Sequence, residues 1–485
     1  MKSPDSSIPG LLCLLLVLSP DGLAPRRLQT SASGDVTGKN VLLVIVDDLR
    51  TSLGCYGDSL VKSPNIDQLA SNSVLFTNAY AQQAVCAPSR VSFLTGRRPE
   101  TTRLFDFNSY WRKHAGNYST LPQYFKEHGY VTMSVGKVFH PGISSNHTDD
   151  YPYSWSVRPY HPSTEKYENT KEFLKLYPIE NISLAPDHDI PRNLPSVAYN
   201  PWTDIRKRED VQALNISFPY GPIPPHFQRL IRQSYYASVS YLDSQVGQLL
   251  SSLEILGFAN DTMIVFASDH GWSLGEHGEW AKYSNFDVAT RVPLMFYVPG
   301  MTATKHTQNN IFQYIDPFSI QSMRKPPGKI KEDPVELVSL YPTIADVAGL
   351  PRVPVCPVPS FHVDLCTEGQ SLFPYFPTTG KKTAESAAYS SYPRPSDSPQ
   401  WNSDLPDLQD IRIMGYSMRT SDYRLTLWVG YNPETFEANI TDIHAQELYL
   451  VKTDPNQDNN LFNQSAHYDF AQKLFGHIMK EFTIN

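Results

Sequence analysis

Continuous apolar runs recur along the chain, and each has the length of one β-strand. They cover residues 41–46, 263–267 and 293–298, and a further strand candidate, in which Thr132 and Ser134 interrupt the apolar residues, covers 130–135. Runs that are apolar at every position are typical of strands buried on both faces, as in a parallel sheet. Helical patterns lie between them: one begins at Ser63-Pro64, and a long amphipathic one covers about 228–256. This alternation predicts an α/β fold with a doubly wound, mainly parallel sheet.

The pattern changes in a polar stretch around Gly380-Lys381-Lys382, which predicts a domain boundary. We expect a larger domain at 40–377 and a smaller α+β domain at 385–485. Three short strands are predicted in the smaller domain, at residues 411–420, 423–429 and 447–451. A terminal amphipathic helix is expected to pack on them, because four apolar residues follow helical spacing, namely Phe470, Leu474, Ile478 and Phe482.

The N-terminus has the features of a secretory signal. A lysine at position 2 precedes a short apolar run at 11–18, and Gly22-Leu23-Ala24 is a plausible cleavage site. We therefore predict a signal peptide at 1–24 and a short propeptide or linker at 25–39. The apolar run is shorter than the roughly 20 residues that span a bilayer, and no other run is longer, so no transmembrane segment is expected.

Seven sequons for N-glycosylation fit a protein of the secretory route. Their asparagines are Asn117, Asn146, Asn181, Asn215, Asn260, Asn439 and Asn463.

Charge and cysteine content narrow the function classes. A net charge of −8 argues against a nucleic-acid partner, so an anionic substrate would have to meet a local cluster of cations.

Of the five cysteines, Cys13 lies in the predicted signal. Cys356 and Cys366 enclose a proline-rich loop and are expected to form a disulfide. Cys55 is expected to be a buried free thiol.

The most informative stretch surrounds Cys86. Pro88 suits the first turn of a helix, so Cys86 is predicted just before a helix begins, next to free backbone N–H groups and the positive end of the helix dipole. That is a site for sulfate or phosphate, although a lone cysteine is more often a buried thiol. The sequence from Cys86 through Pro88, Ser89 and Arg90 to Thr95-Gly96-Arg97 resembles the signature of the sulfatase family.

Acidic residues follow two of the predicted strands. Asp47 and Asp48 end the first, and Asp269-His270 follow the run at 263–267. A capping turn would explain the first pair alone, but two such strand ends meeting at one sheet edge predict an oxygen-rich metal pocket. These four positions resemble the sulfatase metal site, with the side chain of residue 86 as a further ligand. The resemblance implies Ca²⁺, with Mg²⁺ the less expected ion.

The resemblance also assigns chemical roles. It implies that a formylglycine-generating enzyme converts Cys86 to formylglycine, whose hydrate is the nucleophile. Arg90 would support the ionised nucleophile, and Lys137 and Lys282 would hold sulfate oxygens, whereas an isolated lysine is usually a solvated surface charge. His140 would assist proton removal.

The resemblance covers nearly the whole chain and implies an alkaline-phosphatase-like sulfatase fold. Through the blocks at 106–111 and 392–397 it further implies a lysosomal enzyme that acts on sulfated glycosaminoglycans. The implied reaction removes the 2-sulfate of terminal iduronate in heparan sulfate and dermatan sulfate. A sorting receptor would recognise the N-glycans. Two alternatives stay open: a phosphodiesterase or phosphonate hydrolase on the same fold, and a catalytically silent glycoprotein.

One departure from the family concerns the region between the Gly136-Lys137 element and the long helix. Relatives carry a further apolar strand there, which ends in a loop with an active-site histidine. From about residue 149 to 228 this chain has no apolar run of strand length. We interpret this as an internal deletion with its seam near Lys171, which would impair folding and activity.

Overall fold

The computed structural model describes residues 12–18, 39–162, 170–304, 311–319, 326–376 and 386–482. They form an eight-stranded sheet, a four-stranded sheet, a two-stranded sheet of β6 and β7, and helices. The strands are β1 (Leu12–Leu18), β2 (Asn40–Val46), β3 (Val74–Tyr80), β4 (Val131–Val135), β5 (Thr262–Ser268), β6 (Ser273–Leu274), β7 (Trp280–Ala281), β8 (Arg291–Tyr297), β9 (Lys329–Lys331), β10 (Val335–Glu336), β11 (Ala388–Arg394), β12 (Ile413–Arg419), β13 (Tyr423–Asn432) and β14 (Glu437–Leu450). The helices are α1 (Pro64–Ser71), α2 (Cys86–Thr95), α3 (Pro99–Thr102), α4 (Trp111–His114), α5 (Leu121–Glu127), α6 (Thr203–Arg206), α7 (Glu209–Gln212), α8 (Pro225–Ile255), α9 (Asp287–Thr290), α10 (Leu340–Val347) and α11 (Tyr468–Phe482).

The larger sheet has eight strands in the order β10-β3-β8-β5-β2-β1-β4, with β9 also paired to β3. Six of them run in one direction, and only β1 and β8 run against it. The predicted α/β fold with a mainly parallel sheet is confirmed.

Alternate residues of β2 point to opposite sides of this sheet, and both sides are buried. Leu43 and Ile45 belong to a core shared with α2, α5 and α10. Leu42 and Val44 belong to a second core shared with α1 and α8. The run at 41–46 is apolar at every position because helices cover both faces of the sheet.

The four predicted strands of the larger domain all form, although β8 runs antiparallel to both of its neighbours. The N-terminal apolar run differs from expectation, because it forms β1 inside the sheet, between β2 and β4. The signal peptide at 1–24 stays a prediction. None of the helices among the described residues is both long and apolar enough to cross a bilayer.

The second sheet is antiparallel, with the order β11-β12-β13-β14. Leu474, Ile478 and Phe482 of α11 pack into its core, as their spacing predicts, whereas Phe470 is exposed and contacts the ring of Tyr423. The last strand is much longer than the expected 447–451, because it extends back to Glu437 along β13. The polar boundary at 378–385 lies outside the described residues, so the domain limits stay predictions.

Cysteine and sequon positions can be compared with the structure directly. Cys356 and Cys366 form a disulfide, and Cys55 is a buried free thiol. Six of the seven sequon asparagines are exposed, and Asn260 is half-buried. Glycosylation at these positions stays a prediction that their exposure permits.

A buried aspartate side chain of α8 caps α1. Ser63 precedes α1, but its side chain makes no capping hydrogen bond to the helix. Instead, Asp243 Oδ1 accepts from the backbone N–H of Ile66 at 2.8 Å, and Oδ2 accepts from the side chain of Asn65 at 2.7 Å. Asp243 is fully buried, and burial raises its pKa to about 8.

This cap predicts a pH-dependent stability. The unfolded carboxyl titrates near pH ~3.9, so the folded state holds an extra proton between there and pH 8. The stabilisation from Asp243 is therefore complete below about pH 4 and is lost as the pH rises through 8. In Asp243→Asn, we expect the free energy of unfolding to depend less on pH between 5 and 8.5, by about 1 kcal/mol per unit.

Urea unfolding across this pH range measures the difference. Asp189→Asn is the matched control, because the Asp189 side chain is 96% exposed. Identical slopes for Asp243→Asn and the unchanged chain would contradict the prediction.

Candidate active site

Two strand ends and one helix start meet at a single edge of the larger sheet. The parallel register of β2 and β5 sets Val46 beside Ser268, so Asp47 and Asp269, the next residues, emerge side by side. Cys86 is the first residue of α2, one position further into the helix than predicted. All of the predicted metal ligands therefore lie at this edge.

The thiol of Cys86 lies at the centre of this cluster. Its Sγ is 3.1 Å from Lys282 Nζ, 3.3 Å from His270 Nε2 and 3.4 Å from Asp47 Oδ1. Cys86 is 2% exposed. A group attached at this position would be held between a cation and two potential metal ligands.

Three cations neutralise the carboxylates around the thiol. Arg90, itself fully buried, donates from Nε to Asp269 at 2.8 Å and from a terminal nitrogen to Asp47 at 2.9 Å. Lys137 contacts both oxygens of Asp47 at 2.8 Å. Lys282 contacts Asp48 Oδ1 at 2.8 Å. Arg90 also donates to the backbone carbonyl of Lys137, which ties β4 to α2.

The titration of these groups reflects the balance between burial and charge. Burial alone would raise the pKa of Asp47, but Lys137, Arg90 and Lys282 lower it well below its usual value. For Asp48, burial prevails over Lys282, and its pKa rises to about 7. Burial and Asp47 act to raise the pKa of Cys86, but the two lysines lower it overall.

The donor set fits a divalent cation. Ligand atoms of Asp48, Cys86 and His270 lie within 4.8 Å of one another, and so do those of Asp47, Cys86 and Asp269. His270 Nδ1 is 3.0 Å from the carbonyl oxygen of Gly271, a contact that directs Nε2 toward Cys86. Three carboxylates and one imidazole are ligands that hard and borderline cations accept.

His140 is the remaining predicted catalytic residue. Its ring stacks on Phe107 with the ring centres 4.1 Å apart, and Nδ1 has no hydrogen-bond partner among the described residues. Burial, together with Lys137 and Arg90, lowers the pKa of His140 to about 3. The ring is therefore neutral.

Some supporting residues could not be identified from the sequence. Tyr235 of α8 donates its hydroxyl to the carbonyl of Asp48 at 2.9 Å and accepts from the N–H of Arg50 at 3.0 Å. It fixes a turn in which Asp48 has a φ of 59°. In the sequence, Tyr235 is one more apolar position on a long amphipathic helix. Phe107 lies in a block of family resemblance, which is the only signal that could have drawn attention to it.

Comparison with known proteins identifies the class. A family model described as sulfatase matches residues 39–350. The chain belongs to the sulfatase family and is a sulfuric ester hydrolase.

Individual relatives are close. Iduronate 2-sulfatase of Homo sapiens is 59% identical over 541 residues, covering 96% of this chain and 98% of the human protein. Iduronate 2-sulfatase of Mus musculus is 59% identical, covering 92% of this chain and 95% of the mouse protein. The predicted resemblance is confirmed.

Solved structures agree on the fold. A protein bound to its substrate D-glucosamine-2-N,6-O-disulfate superposes with a TM-score of 0.61 at 20% identity, covering 92% of this chain and 98% of that one. The phosphonate monoester hydrolase of Agrobacterium radiobacter gives 0.60 at 18% identity, covering 91% and 95%. At these identities the likeness shows the fold alone.

The bridging role of Arg90 predicts a large effect on stability. Arg90→Ala would leave Asp47 and Asp269 buried without their shared cation, so we expect a loss of about 3–5 kcal/mol in the free energy of unfolding. Arg352→Ala is the control, because Arg352 is 84% exposed and 3.8 Å from Asp346; we expect its effect to stay within about 0.5 kcal/mol. Chemical denaturation of both variants measures this. A loss below about 1 kcal/mol for Arg90→Ala would mean that the lysines alone support the carboxylates.

Proposed function

We propose that this sulfatase removes the 2-sulfate from terminal iduronate units of heparan sulfate and dermatan sulfate. The observation that carries the reaction type is the buried Cys86 at the start of α2, in contact with Lys282 and adjacent to the Lys137–Asp47 pair. The 59% identity to human iduronate 2-sulfatase supports the choice of sugar.

Residue 86 would act as formylglycine, made from the cysteine during maturation. One hydroxyl group of the hydrated aldehyde would attack sulfur and break the bond between sulfur and the ester oxygen, so that the sugar leaves as its alcohol and a covalent sulfate ester forms. Loss of the proton from the second hydroxyl group would then expel sulfate and regenerate the aldehyde. Lys282 and Lys137 would bind the sulfate oxygens, where their charges would stabilise the negative charge of the transition state. Arg90 keeps Asp47 and Asp269 in place. His140 is neutral, the form that accepts a proton, and the charge of a bound sulfate would raise its pKa again.

A divalent cation would be held by Asp47, Asp48, Asp269 and His270, together with the side chain of residue 86. When bound, it supplies positive charge that favours the ionised nucleophile. Ca²⁺ fits a site made entirely of protein ligands better than Mg²⁺, which retains several waters.

The cellular setting follows from the same family membership. We propose that the chain enters the secretory pathway through a signal peptide and meets the formylglycine-generating enzyme there. It would reach the lysosome through a receptor that recognises its N-glycans. The exposed sequon asparagines support this route.

The second candidate function is phosphonate or phosphate ester hydrolysis. The superposition with a phosphonate monoester hydrolase shows that the fold is shared, and the two tetrahedral anions have similar geometry. The cations of the site would bind either anion. Turnover of a sulfate ester and of a phosphonate ester therefore has to be compared to distinguish the two functions.

The decisive experiment combines peptide mass with turnover. We expect the Cys86 peptide of secreted protein to carry formylglycine, and sulfate to be released from a 2-sulfated iduronate disaccharide faster than phosphonate from a monoester. Cys86→Ala should lose turnover by at least ~10³-fold because the nucleophile is gone. Cys55→Ala, at the other buried free thiol, is the control. Unmodified cysteine in an active preparation would exclude this mechanism.

We further propose that the chain lacks an internal segment with its seam near Lys171. Two observations support this. The described residues between 141 and 224 contain no strand, only short helices and turns. The alignment with the human relative extends over 541 positions, more than the 485 residues of this chain.

A version with the segment of the human relative restored tests this proposal. We expect it to be secreted better and to release sulfate at least ~10-fold faster than the present chain, because an inner strand and its following loop return together. A scrambled segment of equal length is the control for length alone. Equal secretion and equal turnover of the present and restored chains would contradict the deletion.

A further inference from the structure

A second cluster of metal-ligating side chains lies outside the candidate active site. Asp187, His277 and Asp458 each offer one ligand atom, and these atoms lie within 4.8 Å of one another. His277 is 2% exposed, and its Nε2 is 3.6 Å from Asp187 Oδ2. The proposed reaction uses none of these three residues.

The cluster joins distant parts of the sequence. Asp187 lies in the loop that follows the proposed seam, His277 lies between β6 and β7, and Asp458 lies between β14 and α11. The backbone N–H of His277 donates to the carbonyl of Asp187 at 2.7 Å. The backbone N–H of Arg192 donates to the carbonyl of Asp458 at 2.8 Å. These hydrogen bonds fix the backbone around the three side chains before any ion binds.

The imidazole of His277 has the protonation state of a metal ligand. Its Nε2 donates to the carbonyl oxygen of Asn456 at 2.7 Å, so Nδ1 is the unprotonated nitrogen. Nδ1 is buried and has no hydrogen-bond partner in the described part of the chain. Histidines that bind metals commonly donate their other N–H to a carbonyl, which fixes the ring. Burial lowers the pKa of His277 to about 4, so the ring stays neutral in mildly acidic solution.

The two carboxylates beside this ring have no basic partner. Neither Asp187 nor Asp458 forms an ion pair with a lysine or arginine among the described residues. Burial, together with Glu276, raises the pKa of Asp187 to about 6. Burial, together with Asp454, also raises the pKa of Asp458. A bound divalent cation would supply the missing positive charge.

A polar cavity of about 270 Å³ borders the cluster. Asp187 and His277 line it, together with Arg50, Glu276 and Asn456. This volume holds several water molecules, each of which takes about 30 Å³, so an ion can reach the cluster with part of its hydration shell.

We propose that Asp187, His277 and Asp458 bind one Zn²⁺ ion, which joins three loops of the chain. An imidazole with two carboxylates suits a borderline cation such as Zn²⁺ better than Ca²⁺, which takes oxygen ligands. Zn²⁺ usually has four ligands, so three side chains leave one position for water from the cavity. The ion would fix the loop that leads from His277 to Lys282. The proposal does not depend on sulfatase activity.

The first test measures zinc uptake by the full chain. Purified protein is freed of metal with a chelator, Ca²⁺ is added to fill the active site, and Zn²⁺ is then titrated by calorimetry at neutral pH. We expect the affinity for Zn²⁺ to fall at least ~10-fold in Asp458→Asn, because a charged ligand is lost while the shape of the side chain is kept. Asp189→Asn is the matched control, because the Asp189 side chain is 96% exposed and lies outside the cluster; its affinity should be unchanged. Zinc at the active site would contribute equally to all three proteins.

The second test follows hydrogen exchange of the backbone amides of residues 276–282. We expect Zn²⁺ to slow this exchange at least ~10-fold in the unchanged chain and in Asp189→Asn, and to leave it unaltered in Asp458→Asn. Equal zinc affinity of Asp458→Asn and the unchanged chain, or equal exchange with and without Zn²⁺, would overturn the proposal. Neither measurement needs turnover, so failure of sulfate release would count against the proposed function alone.

Discussion

A shared guanidinium holds the candidate active site together. Arg90 donates to Asp47 at the end of β2 and to Asp269 at the end of β5, while its backbone belongs to the helix that presents Cys86. Carboxylates this close and this deeply buried would repel each other without it. Strand register brings Asp47 and Asp269 side by side, and the positive charge of Arg90 offsets the repulsion between them. The lysines then have fixed anions to pair with, which places them at the thiol.

Most of the larger domain could be predicted because its sequence signals are local. An apolar run such as 41–46 identifies a strand covered on both faces without knowledge of its partners. The direction of β8 could not be predicted in this way, since the same pattern fits either orientation. The residue that caps α1 could not be predicted either. Ser63 is of a type that often caps helices, but the side chain that accepts from the first turn is Asp243, almost 180 residues away. Only the packing of α8 on α1 brings it there.

The candidate site likewise contains residues that the sequence identifies and residues that it does not. Cys86, Arg90 and the acids at the two strand ends could be found because a motif and a strand end mark them. Tyr235 and Phe107 could not be found by chemistry, because each reads as an ordinary aromatic residue. Their roles are to fix the turn at Asp48 and the ring of His140, and both depend on contacts between distant parts of the chain. Residues that bind can be read from the sequence more readily than residues that orient them.

The strands of the larger sheet depend both on their own sequence and on a neighbouring strand. Each of β2 and β4 forms from its own sequence, yet neither is stable as an inner strand without a neighbour on the side where β1 lies. An apolar segment of seven residues meets the hydrogen-bonding need in either direction, because antiparallel and parallel partners both satisfy a strand edge. Direction matters only for the residues that come after the strand. A segment parallel to β2 would end near Asp47 and Lys137, so that its following residues would enter the site. β1 runs antiparallel to β2 and therefore begins at that end, with Leu12 opposite Val46.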